Sequence, residues 1–400
     1  MKKLAILFSY LIIISCSKKK ILIEDISFKF ENNNAQPTLF SNNGILSLSW
    51  ISSDEKNRSI LNFKQFKDGK WDDNVLKINS GNDWFVNWAD FPAHAVNQDA
   101  IISSFLQKSD SGTYNYDIIL NIQKLSGEKI KENFLLNTDG IKAEHGFVSI
   151  TANKNEGFFI SWLDGRNTLE KKLDGHHKPM SIRFAEVTNS GEIINENELD
   201  TSVCDCCQTS IVNSKNGPLV VYRNRTHNEV RDIYSVRRTN NEWQTPKAVH
   251  NDGWVINGCP VNGPKAAVSS KNIAVGWFTV FKGDPQINVS FSKSDGESFD
   301  TPIKINDYNA IGRVDVEFLN DDEVIISYME YDDNGTYLKI RKVSDNGDIS
   351  EPITISKIDG GRSTGVPQLE IINAEIFLVW TVFENGLNQL KSVKLNSMNI

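Results

Sequence analysis

The feature that most restricts the fold is a repeat of about fifty residues, a period typical of propeller blades. Its clearest copies cover residues 263–306 and 312–356, and each contains four short segments of alternating apolar and polar residues. Such alternation indicates strands, and turn sequences such as "DGES" and "DNG" separate them. A unit of this size cannot bury its apolar faces alone, so neighbouring units must share one core. The sequence therefore predicts an all-β chain.

Seven units of this kind predict a β-propeller of four-stranded antiparallel blades, forming a single domain over residues 22–400. The last unit has three strand segments, and the N-terminal "IEDISFKF" is expected to supply its fourth. Six blades are the alternative if one unit is misassigned, and a large sandwich or two β domains is another. Because no Pro-, Gly- or Ser-rich linker divides the chain, the sequence argues against two domains.

The N-terminus has the pattern of a secretory signal, with two lysines, an apolar run over residues 4–14 and a small residue before Cys16. The run is shorter than the ~20 apolar residues of a spanning helix. The sequence "IIISC" resembles the lipobox of bacterial lipoproteins, which implies a signal peptide over 1–15, lipidation of Cys16 and a tether over 16–21. An ordinary signal peptide is the alternative. We expect an exported lipoprotein anchored to a membrane, on its periplasmic or outer face, without a transmembrane helix.

Three cysteines stand within four positions in "CDCC", namely Cys204, Cys206 and Cys207, and Cys259 is the only other one after Cys16. Because thiols of exported proteins tend to be oxidised, we expect up to two disulfides, with Cys259 bonded to one of the three. The spacing is too crowded for a common zinc site. Copper bound by the soft sulfur ligands, and free or redox-active thiols, are the alternatives.

The chain is mildly acidic, with a net charge of −8, and no basic stripe suggests that it binds nucleic acid. No motif in the chain indicates a cofactor, and we expect none. We also expect a monomer.

Candidate functional residues fall on one side of the predicted ring, which we call the upper face. Because strands alternate in direction, the linkers between blades and the loops between second and third strands open on this side. The candidates are Trp88, Asp90, Glu144, His145, Asp164, Arg166, Tyr222, Arg223, Arg225, Arg231, Arg313, Tyr328, Glu330 and Arg362. Clustered arginines favour an anionic ligand, because a guanidinium binds a carboxylate through two parallel hydrogen bonds.

Structural roles are the alternative for several of these residues. Asp164 and Arg166 can pair to shape the "WLDGRN" loop, and His145 and Trp88 can pack between blades. Arg223 and Arg225 are two residues apart on an extended segment, so we expect both on one side of the chain and near Arg166.

Several motifs resemble the sialidase-like superfamily of BNR-repeat (Asp-box) propellers, in particular bacterial secreted proteins labelled exo-sialidase-like. They are "EHGFVS", "WLDGRN", "CDCCQT", "VYRNR", "RDIYSVRR", "GCPVNGP", "GRVDV" and the Asp-box-like turn "SKSDGESF", and they cover most of residues 84–367. The resemblance implies a propeller with glycoside hydrolase activity on an acidic glycan. It also implies catalytic roles, with Tyr222 or Tyr328 as nucleophile, Glu144 or Glu330 assisting it, and Asp90 or Asp164 as acid/base.

Three functions are therefore open. The first is a sialidase-like enzyme in which Arg166, Arg223, Arg225 and Arg313 hold a substrate carboxylate. The second is a non-catalytic lipoprotein that binds an anionic ligand, a glycan or a protein on its upper face. The third is a metal-handling protein that uses the "CDCC" sulfurs and His145. A tyrosine and a glutamate in hydrogen-bond contact beneath converging arginines would favour the first.

Overall fold

Thirty β-strands form seven antiparallel sheets in residues 21–28, 32–171 and 177–400, the parts of the chain that this computed structural model describes. The sheets are the blades of a seven-bladed propeller, which confirms the all-β prediction and the preferred blade count. The predicted signal peptide and Cys16 lie outside the described residues. Within the described parts, no helix is long and apolar enough to cross a membrane.

Strand β1 (Ile23–Asp25) comes first along the chain, and the next three blades follow it in order. Blade 1 contains β2 (Asn34–Asn42), β3 (Ile45–Ser53), β4 (Ser59–Lys67), and two short strands that both pair with β4, β5 (Lys70–Trp71) and β6 (Leu76–Gly81). Blade 2 contains β7 (His94–Asn97), β8 (Ala100–Lys108), β9 (Tyr116–Lys124) and β10 (Lys129–Leu135). Blade 3 contains β11 (His145–Ala152), β12 (Phe158–Asp164), β13 (Met180–Val187) and β14 (Ile193–Val203).

The remaining four blades complete the ring. Blade 4 contains β15 (Ser210–Asn213), β16 (Pro218–Arg223), β17 (Ile233–Thr239), β18 (Glu242–Trp243) and β19 (Lys247–Ala248). Blade 5 contains β20 (Lys265–Val268), β21 (Ile273–Phe281), β22 (Asp284–Ser292) and β23 (Ile303–Lys304). Blade 6 contains β24 (Asn309–Phe318), β25 (Glu323–Asp332), β26 (Gly335–Ser344) and β27 (Ile353–Ile358). Blade 7 contains β28 (Gln368–Ile372), β29 (Glu375–Glu384) and β30 (Leu387–Asn396). Outside the strands, short 3₁₀ helices lie at Arg166–Leu169, Arg362–Thr364 and Ser397–Asn399.

Blade 7 takes strands from both ends of the chain, as the sequence predicts. Strand β1 pairs antiparallel with β30, with Ile23 opposite Leu395 and Asp25 opposite Val393. The innermost strands of blades 7 and 1 also contact each other, so the ring is continuous. This closure gives every blade two neighbours against which its apolar faces pack.

The second strand of each blade carries a large aromatic residue at its fifth or sixth position, and in β21 both positions are aromatic. The seven are Trp50, Phe105, Trp162, Tyr222, Trp277, Tyr328 and Trp380, and all of them are buried. Several of their polar atoms bond within the core; the indole nitrogen of Trp277, for example, donates to Asp252 at 2.7 Å. A tyrosine at this position of the repeat is therefore a core residue.

The innermost strands surround a central channel of about 700 Å³. On the side of the ring opposite the upper face, turns such as residues 42–44 line one end of the channel. Ala89 and Phe91, of the linker between blades 1 and 2, line the other end. The linker is held in place because Thr38 donates to the Pro92 carbonyl at 2.6 Å and Gln208 donates to the Ala89 carbonyl at 2.7 Å. It therefore lies across the upper end of the channel, and the upper face is built on top of it.

Candidate functional site

A tyrosine between two carboxyl groups is the most unusual feature of the upper face. The Tyr116 hydroxyl lies 3.0 Å from Oδ2 of Asp90 and 2.7 Å from Oε1 of Glu144. Asp90 comes from the linker before β7, Tyr116 is the first residue of β9, and Glu144 directly precedes β11. We call Asp90, Tyr116 and Glu144 the carboxyl cluster.

The backbone around the cluster leaves just enough room for these contacts. A Cβ atom on Gly146 would lie 2.0 Å from Oδ2 of Asp90, so any larger residue there would displace that carboxyl group. The other Asp90 oxygen accepts a hydrogen bond of 2.7 Å from the Phe147 amide. On the other side, the ring of Phe85 stacks on that of Tyr116 with a centroid separation of 4.2 Å. These contacts hold the cluster in one geometry.

The hydrogen bonds require the cluster to carry extra protons. A tyrosine hydroxyl has one proton and donates it to one acceptor, so the second short contact needs a protonated carboxyl group that donates to the tyrosine oxygen. The pKa values of the three side chains agree with this requirement. Burial raises the pKa of Asp90 to about 8, and the nearby charge of Glu144 adds to this shift. Burial also raises the pKa of Glu144 to about 7, with a contribution from the charge of Asp205. Burial and the two carboxylates also raise the pKa of Tyr116, which therefore stays neutral.

Exposure differs across the cluster. Asp90 is 3% exposed and Tyr116 is fully buried, whereas Glu144 is half-buried. Glu144 is thus the member that can meet a ligand, and the other two lie behind it. A carboxyl group that titrates near neutral pH and reaches solvent is suited to general acid–base chemistry.

Asp164 and Arg166 pair with each other, as the structural alternative predicts. The Arg166 guanidinium donates to both Asp164 oxygens, at 2.8 and 2.7 Å, and also lies 3.0 Å from Asp139. Although burial raises the pKa of Asp164, its hydrogen bond and ion pair with Arg166 hold it below the usual range. The fully buried His145 lies 3.2 Å from Asp139. Asp139, His145 and Asp164 have suitable atoms for a metal, but Arg166 already pairs with both carboxylates.

Arg225 and Arg231 are also paired with carboxylates. Arg225 donates to Glu229 at 2.9 Å and to Asp205 at 2.5 Å. Arg231 donates to the same Glu229 at 2.6 Å and is almost completely buried. The four side chains form a connected ion-pair network between the linker that enters blade 4 and the loop after β16. An anion that approached Arg225 or Arg231 would have to compete with Asp205 or Glu229 for the guanidinium group.

Arg223 points into the interior, unlike Arg225. It is 1% exposed, and its guanidinium donates to the carbonyl groups of Asn262, Arg231 and Phe278 at 2.6–3.0 Å. It therefore joins blade 4 to blade 5 and to the linker between them. The two arginines have different partners, although the segment between them stays extended and Asn224 pairs antiparallel with Val203.

Arg313 and Arg362 have no carboxylate within 4 Å in the part of the chain that is described. Arg313 is 8% exposed, donates to the Gly365 carbonyl at 2.9 Å and stacks on Trp88, with 4.8 Å between the guanidinium carbon and the ring centroid. Burial lowers its pKa to about 10, so it remains charged at neutral pH. Arg362 is exposed on the same linker as Gly365. Neither arginine therefore has a direct carboxylate partner among the described residues. Arg362 is open to an anion, whereas Arg313 is buried and the charge of Asp359 acts on it.

Tyr222 and Tyr328 occupy the repeated aromatic position of the blade core. The Tyr222 hydroxyl donates to Asp200 at 2.6 Å, and burial raises the pKa of both tyrosines. The Tyr328 hydroxyl has no hydrogen-bond partner among the described atoms. Glu330 is fully buried and pairs with Lys339 at 2.5 Å. The tyrosine that meets a glutamate is Tyr116, which none of the sequence motifs indicates.

The sulfur atoms converge beside this network. Cys206 and Cys259 form a disulfide, which confirms the prediction that Cys259 bonds to one of the three cysteines of "CDCC". Cys204 and Cys207 are free and buried, with 2.8 Å between their Sγ atoms. The disulfide leaves only two thiolates of the described cysteines for a metal, and a typical structural site needs four ligands. The sulfur set therefore does not fit a structural metal centre in this state.

No protein-family model matches the chain, and no curated protein is significantly similar to it. Solved structures are similar. An ulvan lyase bound to a saccharide of glucuronic acid and sulfated rhamnose is 10% identical, with a TM-score of 0.56 over 93% of this chain and 96% of that chain. An α-L-arabinofuranosidase from Fusarium graminearum with an iminosugar inhibitor is 11% identical, with a TM-score of 0.51 over 94% and 98%. The NanB sialidase from Streptococcus pneumoniae is 12% identical, with a TM-score of 0.47 over 96% and 71%.

These identities show a shared propeller fold only. The lyase and the arabinofuranosidase belong to different enzyme classes, so this similarity of fold does not by itself indicate one activity.

Proposed function

We propose that the protein is an exported, membrane-anchored propeller that binds an acidic glycan on its upper face and hydrolyses it, with Glu144 as general acid/base. The observation that carries this proposal is the carboxyl cluster, in which Tyr116 contacts both Asp90 and a half-buried Glu144. Two proteins of similar fold, the ulvan lyase and the arabinofuranosidase, act on glycans, which supports the proposed class of ligand.

In the proposed reaction, Glu144 donates a proton to the glycosidic oxygen as the bond to the leaving group breaks. With a pKa of about 7, the carboxyl group holds a proton in a good fraction of molecules at neutral pH and also loses it readily. Tyr116 then passes its hydroxyl proton to Glu144 and takes one from Asp90. Asp90 thus serves as a buried proton reserve. A water molecule attacks the anomeric carbon, and the proton that it loses returns through Glu144 and Tyr116 to Asp90, which restores the starting state.

Recognition of the acidic group is assigned to Arg313, Arg362 and Trp88. Arg313 and Arg362 carry charges that no carboxylate of the described chain neutralises within 4 Å, and the half-buried indole of Trp88 offers a face for a sugar ring. Trp88 lies two residues before Asp90, so the ligand platform and the carboxyl cluster are adjacent on one linker.

Non-catalytic binding of an anionic ligand is the second candidate. The observation in its favour is that Arg166, Arg225 and Arg231 are already paired with carboxylates, whereas a sialidase-like site would turn three arginines towards the substrate carboxylate.

A pair of matched variants tests the proposal. Tyr116→Phe removes the hydroxyl between two carboxyl groups, and Tyr222→Phe removes a buried hydroxyl that also donates to one carboxylate, Asp200. Measured on a panel of glycans containing uronic or sialic acids, Tyr116→Phe should lower kcat by about 10²-fold, within the usual range for acid–base groups, with little change in Kd. Tyr222→Phe should retain its activity. Equal activity of the two variants would contradict the catalytic role, and ligand binding without turnover by the wild type would favour the second candidate.

A further inference from the structure

The four described cysteines form a continuous series from the surface to the interior. Cys259 is exposed and bonded to the half-buried Cys206. The Cys206 sulfur lies 3.9 Å from that of Cys204, which in turn lies 2.8 Å from that of Cys207. Cys204 and Cys207 are only 1% and 2% exposed. A buried dithiol is thus in contact with a disulfide whose far end reaches solvent.

The surroundings of Cys204 favour its thiolate. Its amide donates to the Arg223 carbonyl, and the charges of Arg223 and Arg231 act on its sulfur. Although burial alone raises the pKa of Cys204, the hydrogen bond from Cys207 and these arginine charges bring it below the usual range. Burial and the neighbouring sulfur raise the pKa of Cys207. The C-x-x-C spacing of the two residues, with one activated sulfur and one protonated partner, is that of disulfide oxidoreductases.

We propose that Cys204, Cys206, Cys207 and Cys259 form a thiol–disulfide relay, in which the buried dithiol exchanges with the Cys206–Cys259 bridge and delivers a reactive Cys259 thiol to an external disulfide. This activity is separate from glycan hydrolysis. Its substrate class is a disulfide, in a small molecule or in an exported protein.

The exchange among these four cysteines needs no external oxidant. The Cys204 thiolate attacks Sγ of Cys206, the Cys206–Cys259 bond breaks, and Cys259 leaves as a thiolate. Cys207 loses its proton and attacks Cys204, so the Cys204–Cys206 bond breaks and Cys206 leaves as a thiolate. The products are a Cys204–Cys207 disulfide and two thiols, Cys206 and Cys259. One disulfide is broken and one is made.

Reaction with an external disulfide follows from the exposed thiol. The Cys259 thiolate attacks one sulfur of the substrate and expels a thiolate, which leaves a mixed disulfide. Cys206 then attacks Cys259, restores the Cys206–Cys259 bridge and releases the second thiolate. The protein is oxidised by two electrons, at Cys204 and Cys207, and the substrate is reduced to two thiols. An external thiol reductant returns the buried pair to the dithiol for another cycle.

The test uses the full-length protein in detergent, with glutathione and glutathione disulfide as probes. The protein is incubated in anaerobic buffers of graded glutathione ratio, quenched with acid, alkylated and mapped by peptide mass spectrometry. We expect molecules with a Cys204–Cys207 bridge and alkylated Cys206 and Cys259, and a glutathione adduct at Cys259 when the disulfide is added. Cys204→Ser, which removes the attacking sulfur, should lower the yield of Cys259 thiol about tenfold.

Other outcomes would overturn the relay. A Cys206–Cys259 bridge that persists in every buffer while Cys204 and Cys207 remain a dithiol would show that no exchange occurs. Two bridges that resist reducing buffers would make the cysteines static cross-links, and copper bound in stoichiometric amount to the isolated protein would make them ligands. Because wild-type mapping alone distinguishes these outcomes, the test holds even if Cys204→Ser fails to fold.

Discussion

Replacement of Asp90 by asparagine tests the protonation of the carboxyl cluster through protein stability. Asparagine keeps the shape of the protonated acid: its oxygen can accept from the Phe147 amide and its NH₂ group can donate to the Tyr116 oxygen. Asp90→Asn therefore preserves the hydrogen bonds but cannot release a proton. Any difference in pH dependence between the two proteins then comes from the titration of Asp90.

The size of the effect follows from the pKa values. An unfolded aspartate loses its proton near the ordinary pKa of 3.8, whereas folded Asp90 keeps its proton up to about pH 8. Between about pH 5 and 7 the folded wild type therefore binds one more proton than the unfolded chain, and its free energy of unfolding falls by ~1.4 kcal/mol per pH unit from this residue. The variant lacks this loss, so its stability relative to wild type should rise by ~3 kcal/mol over those two units.

Urea unfolding at pH 5, 6 and 7, with the m-value checked for constancy, measures this difference. Asp54→Asn is the control. Hydrogen bonds from Arg58 hold the pKa of the half-buried Asp54 below its usual range, so this carboxylate is ionised in both states above pH 5 and its loss should add no slope. A parallel pH dependence of wild type and Asp90→Asn would refute a protonated Asp90, and with it the proton reserve of the proposed mechanism.

Three further predictions address the packing of the cluster, the interior arginine and the anchor. Gly146→Ala places a Cβ 2.0 Å from Asp90 and should lower the free energy of unfolding by about 1–3 kcal/mol and remove most of the activity. Gly258→Ala is the control, because its Cβ would have no atom closer than 3.9 Å, and it should change neither quantity in urea titrations and glycan assays. Arg223→Lys cannot reach three carbonyl groups at once and should lower the free energy of unfolding by ~2–3 kcal/mol in urea titrations; unchanged stability with lost ligand affinity would make Arg223 a binding residue instead. Cys16→Ser should release the protein from membranes in fractionation, and continued membrane association would disprove the lipid anchor.

The blade architecture is predictable from the sequence because strand alternation and turn residues are local signals. Each unit repeats them, and the missing strand of the last unit leaves a place that the N-terminal segment fills. The same repeat also carries a signal for two of the candidate nucleophiles. Tyr222 and Tyr328 align with the core tryptophans of other blades, and this alignment alone indicates that both are core residues.

Side-chain pairing was not predictable in the same way, since it depends on distances between segments remote in sequence. Arg225 donates a hydrogen bond to Asp205 of the preceding linker, and Arg223 donates to a carbonyl group of the next blade. Tyr116 carries no motif of its own. Its position at the start of a third strand, on the upper face and opposite "EHG", is the one signal that could have identified it.

Acid–base cleavage of an acidic glycan by Glu144 at the upper face is tested most directly by comparing wild type with Glu144→Gln. Both proteins are given acidic glycans and the same glycans with their carboxyl groups reduced, and both binding and release of sugar are followed. We expect wild type to cleave an acidic glycan but not its reduced form, and Glu144→Gln to bind the acidic glycan with a similar Kd and fail to cleave it. Cleavage by Glu144→Gln at the wild-type rate, or equal use of the acidic and reduced glycans by the wild type, would contradict the proposed function.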